Sequence, residues 1–323
     1  MIDYREMASR ILIQHYHISR PIDWDQIFEE QGPLQIEIGF GLGEFLLRNV
    51  IEFPERRHVG IELDWGRMKK CFRQIARMPQ DQQRRIERRL RVMHVDARDV
   101  FERLVGPCST DRIECLFPCP WPKDRHEHHR LFSRDFLRLL NSRLRQDGQL
   151  RVVTDDAAYA DWVSAQGSGL GLQLTRDTIP AIFGTKFEKK WAAGGQWLFH
   201  ELIFCKQRHA TVPLKKDVAM QAFYHEEFIP ERFHFDQDVD HEIAVVAKDW
   251  LYDSRQEKGV VRVVVSEKHL TQHFWIMIVK TGKGWCVLRS DGQQVLPTEG
   301  TARAVALISR AVKRTTEQQS GGE

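Results

Sequence analysis

The sequence has no apolar run long enough to span a bilayer, no C-x-x-C cysteine pair, no internal repeat, no low-complexity tract and little excess of either charge. The first absence excludes a helical membrane span. The opening residues, MIDYREMASRILI, carry acids where a secretion signal needs an uninterrupted apolar stretch, so a cytoplasmic location and no membrane partner are expected. Six cysteines (Cys71, Cys108, Cys115, Cys119, Cys205 and Cys286) lie scattered through 323 residues, which excludes a small disulfide-stapled domain and favours free thiols. Without paired cysteines, Cys108, Cys115, Cys119, His126, His128 and His129 lack the spacing of a zinc site, and no metal is expected. A net charge of +3 does not by itself announce nucleic-acid binding, and 42% hydrophobic with 29% charged residues excludes a disordered chain.

What is present is an alternation. Short β-like apolar runs at 34–40, 58–63, 91–96, 112–118 and 149–154 are separated by helix-like segments at 44–53, 65–78, 98–104, 131–144 and 157–165. That pattern predicts a parallel, doubly wound sheet covered by helices. Two further strands, at 170–176 and 197–206, would give it an antiparallel edge. A helical lead-in at 1–33 precedes this domain of 34–206, and a break falls at 207–213. Beyond it, long alternating runs at 242–253, 260–269 and 273–288 and an apolar helix at 301–312 predict a separate small α+β domain over 214–314, followed by a flexible tail, 315–323. The stretch 67–91 is densely basic, opposed only by Asp81 and Glu87; it reads either as a solvated helical face or as a surface that tracks phosphates.

Chemistry-bearing residues gather at the carboxyl ends of the predicted strands. Glu37-Ile-Gly-Phe-Gly-Leu-Gly leaves the first strand and opens a helix; Gly39, Gly41 and Gly43 permit a tight turn and a close ligand approach. The G-x-G-x-G spacing differs from the dinucleotide fingerprint and alone leaves NAD, FAD and S-adenosylmethionine open. Glu62 ends the second strand, where a carboxylate can accept from ribose hydroxyls, and Asp96 ends the third, where it can accept from an adenine amino group. Ligands of open α/β sheets bind at this edge, so the three acids are expected to share one crevice.

The fourth strand ends in Phe117-Pro-Cys-Pro-Trp-Pro-Lys-Asp-Arg-His126, which resembles the FPDPWPKxRH signature of bacterial tRNA (guanine-N7)-methyltransferases. Thr154-Asp155 and Thr185-Lys186-Phe187-Glu188 resemble that family's TD and TKFE segments in order and spacing. The resemblance covers 34–206 and implies a Rossmann-like class I methyltransferase fold, S-adenosylmethionine as cofactor, and transfer of its methyl group to N7 of guanine in tRNA, at position 46 of the variable loop. It further implies cofactor contacts from Glu37, Gly39, Gly41, Gly43, Glu62, Asp96 and the backbone around Cys119, and guanine or tRNA contacts from Lys123, Asp155, Thr185, Lys186, Phe187 and Glu188. Arg125, Lys189 and Lys190 would extend a cationic rim, and Trp121 or Phe187 would offer a ring to a base.

One position departs from the signature: Cys119 stands where the family has its active-site aspartate, beside Asp155 as the other catalytic candidate. Guanine N7 has an in-plane lone pair and no proton, so its methylation needs positioning rather than a base, and a thiol is a weaker orienting group than a carboxylate. Two alternatives follow: a weakened or non-catalytic relative that binds tRNA or S-adenosylmethionine, and a methyltransferase with a different substrate. The C-terminal domain serves tRNA binding, dimerisation or stability, and either a monomer or a homodimer fits the sequence.

Overall fold

The computed structural model describes residues 3–16 and 18–317 and divides into two compact units, Met1–Lys215 and Lys216–Glu323. In the first unit, α1 (Tyr4–Ile11) and α2 (Trp24–Ile27) precede β1 (Leu34–Ile38), α3 (Glu44–Glu52), β2 (Arg57–Glu62), α4 (Trp65–Ile75), α5 (Gln80–Arg89) and β3 (Leu90–His94). There follow α6 (Ala97–Asp99), which runs into a π-helical turn at Val100–Leu104, then β4 (Thr110–Leu116), α7 (Arg134–Arg143), β5 (Leu144–Thr154), α8 (Ala157–Gly167), β6 (Leu172–Pro180), α9 (Lys186–Ala193) and β7 (Leu198–Lys206). The strand order is β3-β2-β1-β4-β5-β7-β6. The first five strands are parallel, while β7 runs antiparallel to both β5 and β6.

Every residue of β1 and β2 is buried, as expected for central parallel strands with helices on both faces. The order reverses where β1 pairs with β2 on one side and β4 on the other, and this switch point opens a crevice at the strands' carboxyl ends. The outer edge at β3 is shielded by the N-terminal segment: Ile13 N–H donates to Val92 O at 2.9 Å. This satisfies a backbone acceptor that would otherwise template association.

Several boundaries differ from the sequence reading. The basic stretch is two helices, α4 and α5, because Pro79 cannot continue α4 and instead precedes the first turn of α5. Residue 144, read as the end of a helix, and 145–148, placed in no element, already belong to β5, whose Leu144 is fully buried. The edge strand runs to Pro180, beyond the expected end at 176, and α9 was not expected as a helix.

The second unit is a six-stranded antiparallel sheet of β8 (Phe223–His225), β9 (Gln237–Val239), β10 (Ile243–Asp253), β11 (Lys258–Glu267), β12 (Leu270–Thr281) and β13 (Gly284–Arg289), in the order β8-β13-β12-β11-β10-β9. Helix α10 (Glu299–Glu317) shares a core with it: Ala304, Val305, Ile308 and Val312 cluster with Val245, Val261, Val263 and Val265. Residues 315–317, read as flexible tail, are the last turn of α10, where Thr315 is buried and its hydroxyl accepts from Ile229 N–H. The rest of the expected tail lies outside the described residues.

Gly60 shows how tightly α3 is seated on the sheet. A Cβ there would lie 2.6 Å from Leu46 Cδ2 and 2.7 Å from Phe40 Cδ1, both buried. Gly60→Ala is expected to cost about 1–3 kcal/mol by overpacking, read as a lower urea midpoint with an unchanged slope.

Candidate active site

The loop from β1 to α3 turns on Gly39, Gly41 and Gly43, with φ of +73°, +60° and +85°, a region that disfavours L side chains. Their roles differ. A Cβ on Gly39 would have no neighbour within 4 Å, so this backbone is open to a ligand, whereas one on Gly43 would lie 2.6 Å from Cys71 Sγ, so Gly43 serves packing. The loop is tied to the end of β2: Gly39 N–H donates to Ile61 O at 2.8 Å, and Gly41 N–H to Glu62 Oε2 at 2.8 Å.

Two cavities share Gly39, Arg67, Leu116, Phe117 and Phe187 in their walls. One, of about 500 Å³, is lined by Glu62, Asp96, Cys119 and Asp155 together with Arg98, Trp121, His129 and Trp191. The other, of about 540 Å³, is lined by Glu37, Gly41, Glu44, Thr185 and four cations: Arg67, Lys70, Lys186 and Lys190. Glu62 and Asp96 thus share one cavity as expected, whereas Glu37, expected in the same crevice, lines its neighbour, because successive side chains of β1 point to opposite faces and it is Ile38 that lines the first cavity.

The three carboxylates are in different states. Glu62 accepts from Leu63 N–H and Asp64 N–H through Oε1, both at 2.9 Å, and from Gly41 N–H through Oε2, leaving about one of its four lone-pair positions for a ligand. Asp96 caps α6 and grips Arg98, with Oδ1 accepting from Arg98 N–H at 2.8 Å and Oδ2 from Nη2 at 3.0 Å. Glu37 is 3% exposed, and its Oε2 has no hydrogen-bond partner. Burial pushes its carboxyl well above the ordinary range, reinforced by Glu114, Glu44 and Glu62.

On the far wall, Cys119 is exposed and sits between Phe117 and Trp121, whose φ values of +55° and +45° bend the chain on either side. Arg130 holds this bend by donating from Nε to Pro120 O at 3.1 Å and from Nη2 to Trp121 O at 3.3 Å. Asp155, just past β5, lines the same cavity as Cys119, and burial raises its carboxyl above the usual value. Thr185, Lys186 and Phe187 begin α9, where the Thr185 hydroxyl and the Glu188 carboxylate form a reciprocal cap. Glu188 is 2% exposed and accepts from Ile182, Phe183 and Thr185 N–H, each at 2.9 Å, so it shapes the segment and lines neither cavity. Lys123, exposed before the short 3-10 turn Asp124–His129, lines neither cavity.

The sequence reading did not single out Trp191 or Arg98. Trp191 lies four residues after Phe187, the spacing that puts two side chains on one helix face, and this was legible once α9 was read as a helix. Arg98 left no such signal, since its contact with Asp96 depends on the turn between them.

This crevice fits a sulfonium nucleoside. Glu37 has a buried oxygen without a partner, the backbone at Gly39 is unobstructed, and Glu62 and Asp96 each retain acceptor capacity. The fold and the crevice together define a Rossmann-like methyltransferase. A family described as "putative methyltransferase" matches residues 31–200, just over half of the chain. The tRNA (guanine-N(7)-)-methyltransferase of Chlorobium phaeobacteroides is 36% identical over 187 residues, covering 58% of this chain and 88% of the relative. That of Thermotoga maritima is 32% identical over 195 residues, covering 59% of this chain and 60% of the relative. That of Thermus thermophilus is 29% identical over 302 residues, covering 90% of this chain and 92% of the relative, a match that necessarily runs into the second unit. The chain belongs to the tRNA (guanine-N(7)-)-methyltransferase family. Among the described residues, no helix is long and apolar enough to cross a membrane.

The state of Glu37 sets a pH signature. Its folded pKa lies above the ordinary 4.5, so the folded chain holds this proton more tightly than the unfolded chain. The associated stability is complete below about 4.5 and declines as pH rises through the folded value. Glu37→Gln removes this dependence: its melting temperature should match the parent near pH 4 and increasingly exceed it toward pH 8, while calorimetry should show weaker S-adenosylmethionine binding.

Proposed function

We propose that the chain transfers a methyl group from S-adenosylmethionine to N7 of guanine in tRNA, with position 46 of the variable loop as the target. The observation that carries this reading is the single cavity that brings Glu62, Asp96, Cys119 and Asp155 together beside the open backbone of Gly39, in a chain of this family. When bound, the cofactor supplies an electrophilic methyl group on a cationic sulfur. Glu62 and Asp96 would hold its nucleoside, and Glu37 its cationic amino-acid end.

Guanine N7 needs no proton removed, so the protein's work is alignment, for which well-oriented groups contribute up to several kcal/mol. Asp155 would accept from the amino and imino donors on the guanine's pairing edge, which orients N7 away from it. Cys119, exposed between two bends, contributes shape rather than charge. Lys186, Lys190, Arg67 and Lys70 would bind the phosphates flanking the target, next to the reacting base.

The direct test is incubation of tRNA transcripts with the chain and S-adenosylmethionine, followed by mass spectrometry of the nucleosides. 7-Methylguanosine is expected, and it should disappear when position 46 is changed to adenine; its absence from the unaltered transcript rejects the reading. Restoring a carboxylate with Cys119→Asp should raise the single-turnover rate roughly tenfold or more, by adding charge stabilisation at the reacting base. Replacing both Lys186 and Lys190 with Ala should weaken tRNA binding and flatten the log–log salt dependence by about 0.7 to 0.9 for each phosphate no longer neutralised.

A further inference from the structure

Methylation changes the charge of the base. Guanine N7 donates its lone pair to the methyl carbon as the carbon–sulfur bond breaks; the sulfur keeps that bonding pair and becomes neutral, the purine becomes cationic, and no proton moves. The wall that receives this charge has little free negative charge to offer. Cys119 brings no carboxylate, Glu62 is engaged by three backbone N–H groups, and Asp96 is paired with Arg98. Glu188 is spent on the turn before α9, and Asp155 is assigned above to the donors on the guanine's pairing edge, away from N7. Arg67, Arg98 and His129 line the same cavity.

Aromatic rings are the remaining electron-rich surface. Phe187 is 39% exposed and lines both cavities. Behind it stands Trp191, stacked at a centroid distance of 5.4 Å and an interplanar angle of 26°. Trp191 is in turn 5.0 Å from Phe117 and 6.1 Å from Phe199, so Phe187 is the outer member of a packed rack. The Thr185–Glu188 cap fixes the first turn of α9 and with it the position of this ring. An aromatic face attracts a cation through its quadrupole, and more strongly where water is excluded.

We propose that Phe187, backed by Trp191, stacks on the target guanine and stabilises the positive charge that methylation places on it, a role that rests on the reaction assigned above. The ring then discriminates product-like from substrate-like purine, which a merely structural side chain would not do.

The test is calorimetry of the full chain, with S-adenosylhomocysteine present, against guanosine monophosphate and 7-methylguanosine monophosphate at mildly acidic pH, where the methylated base remains cationic. The chain is expected to bind the methylated nucleotide about tenfold more tightly. Phe187→Leu should bring the ratio close to one by reducing affinity for the methylated nucleotide alone. Phe187→Tyr should preserve the ratio, and Trp191→Leu should lower it partway. Equal affinity for both nucleotides in the unaltered chain, or a Leu variant that keeps the preference, overturns the proposal. Because Phe187 is partly exposed, the Leu variant should melt near the parent; if it does not, the ratios of the unaltered and Tyr chains decide. No methyl transfer is needed for this readout, so a chain that keeps the preference yet leaves tRNA unmethylated rejects the assigned reaction and leaves the platform standing.

Discussion

The architecture of the site depends on the Glu62 carboxylate. Its two oxygens collect N–H groups from the glycine loop after β1 and from the turn after β2, so a single side chain ties the ends of adjacent parallel strands together. The loop otherwise has three consecutive alternate positions in left-handed backbone, a geometry that glycine permits but does not enforce. Charge-assisted hydrogen bonds to Glu62, with the Ile61 carbonyl accepting from Gly39, select that geometry. A residue that reads from sequence as a ligand for ribose is therefore also the brace of the loop beside it.

The order of strands and helices in the first unit was legible because the hydrophobic period alternates cleanly, and β1 and β2 are buried along their whole length. The glycine loop and the meeting of Glu62 with Asp96 were legible for a related reason, since strand ends of an open α/β sheet lie along one edge; the separation of Glu37 was not, because it depends on which face of β1 the side chain takes. What escaped was conformation set by local chemistry. Helix α9 is short, and its start signal, Thr185 with Glu188, is a reciprocal cap that also matches a family segment; taken as ligand residues, the pair concealed the helix that places Trp191. Glu188 looked like a contact to substrate but is consumed by three backbone donors, information that resides in the turn and not in the residue type.

The acids also show that proximity to a site and availability to a ligand are separate properties. Glu37 is the most buried of the three expected cofactor contacts and has an unsatisfied oxygen, while Glu62 and Asp96 are largely satisfied. An acceptor kept unpaired in a low-dielectric interior destabilises the empty protein and strengthens its interaction with an incoming cation. In the cofactor role proposed above, stability and affinity are opposed at this one residue.

The walls of the crevice have different origins in the chain. The cofactor side is made by parallel strands whose connections cross the sheet, whereas Thr185, Phe187 and Trp191 arrive on an excursion between two antiparallel neighbours, β6 and β7. A hairpin excursion can change length or composition without rerouting any crossover connection. The wall carrying Phe187 and Trp191 can therefore be remodelled at one edge of the sheet while the parallel strands that place Glu62, Asp96 and Asp155 stay intact.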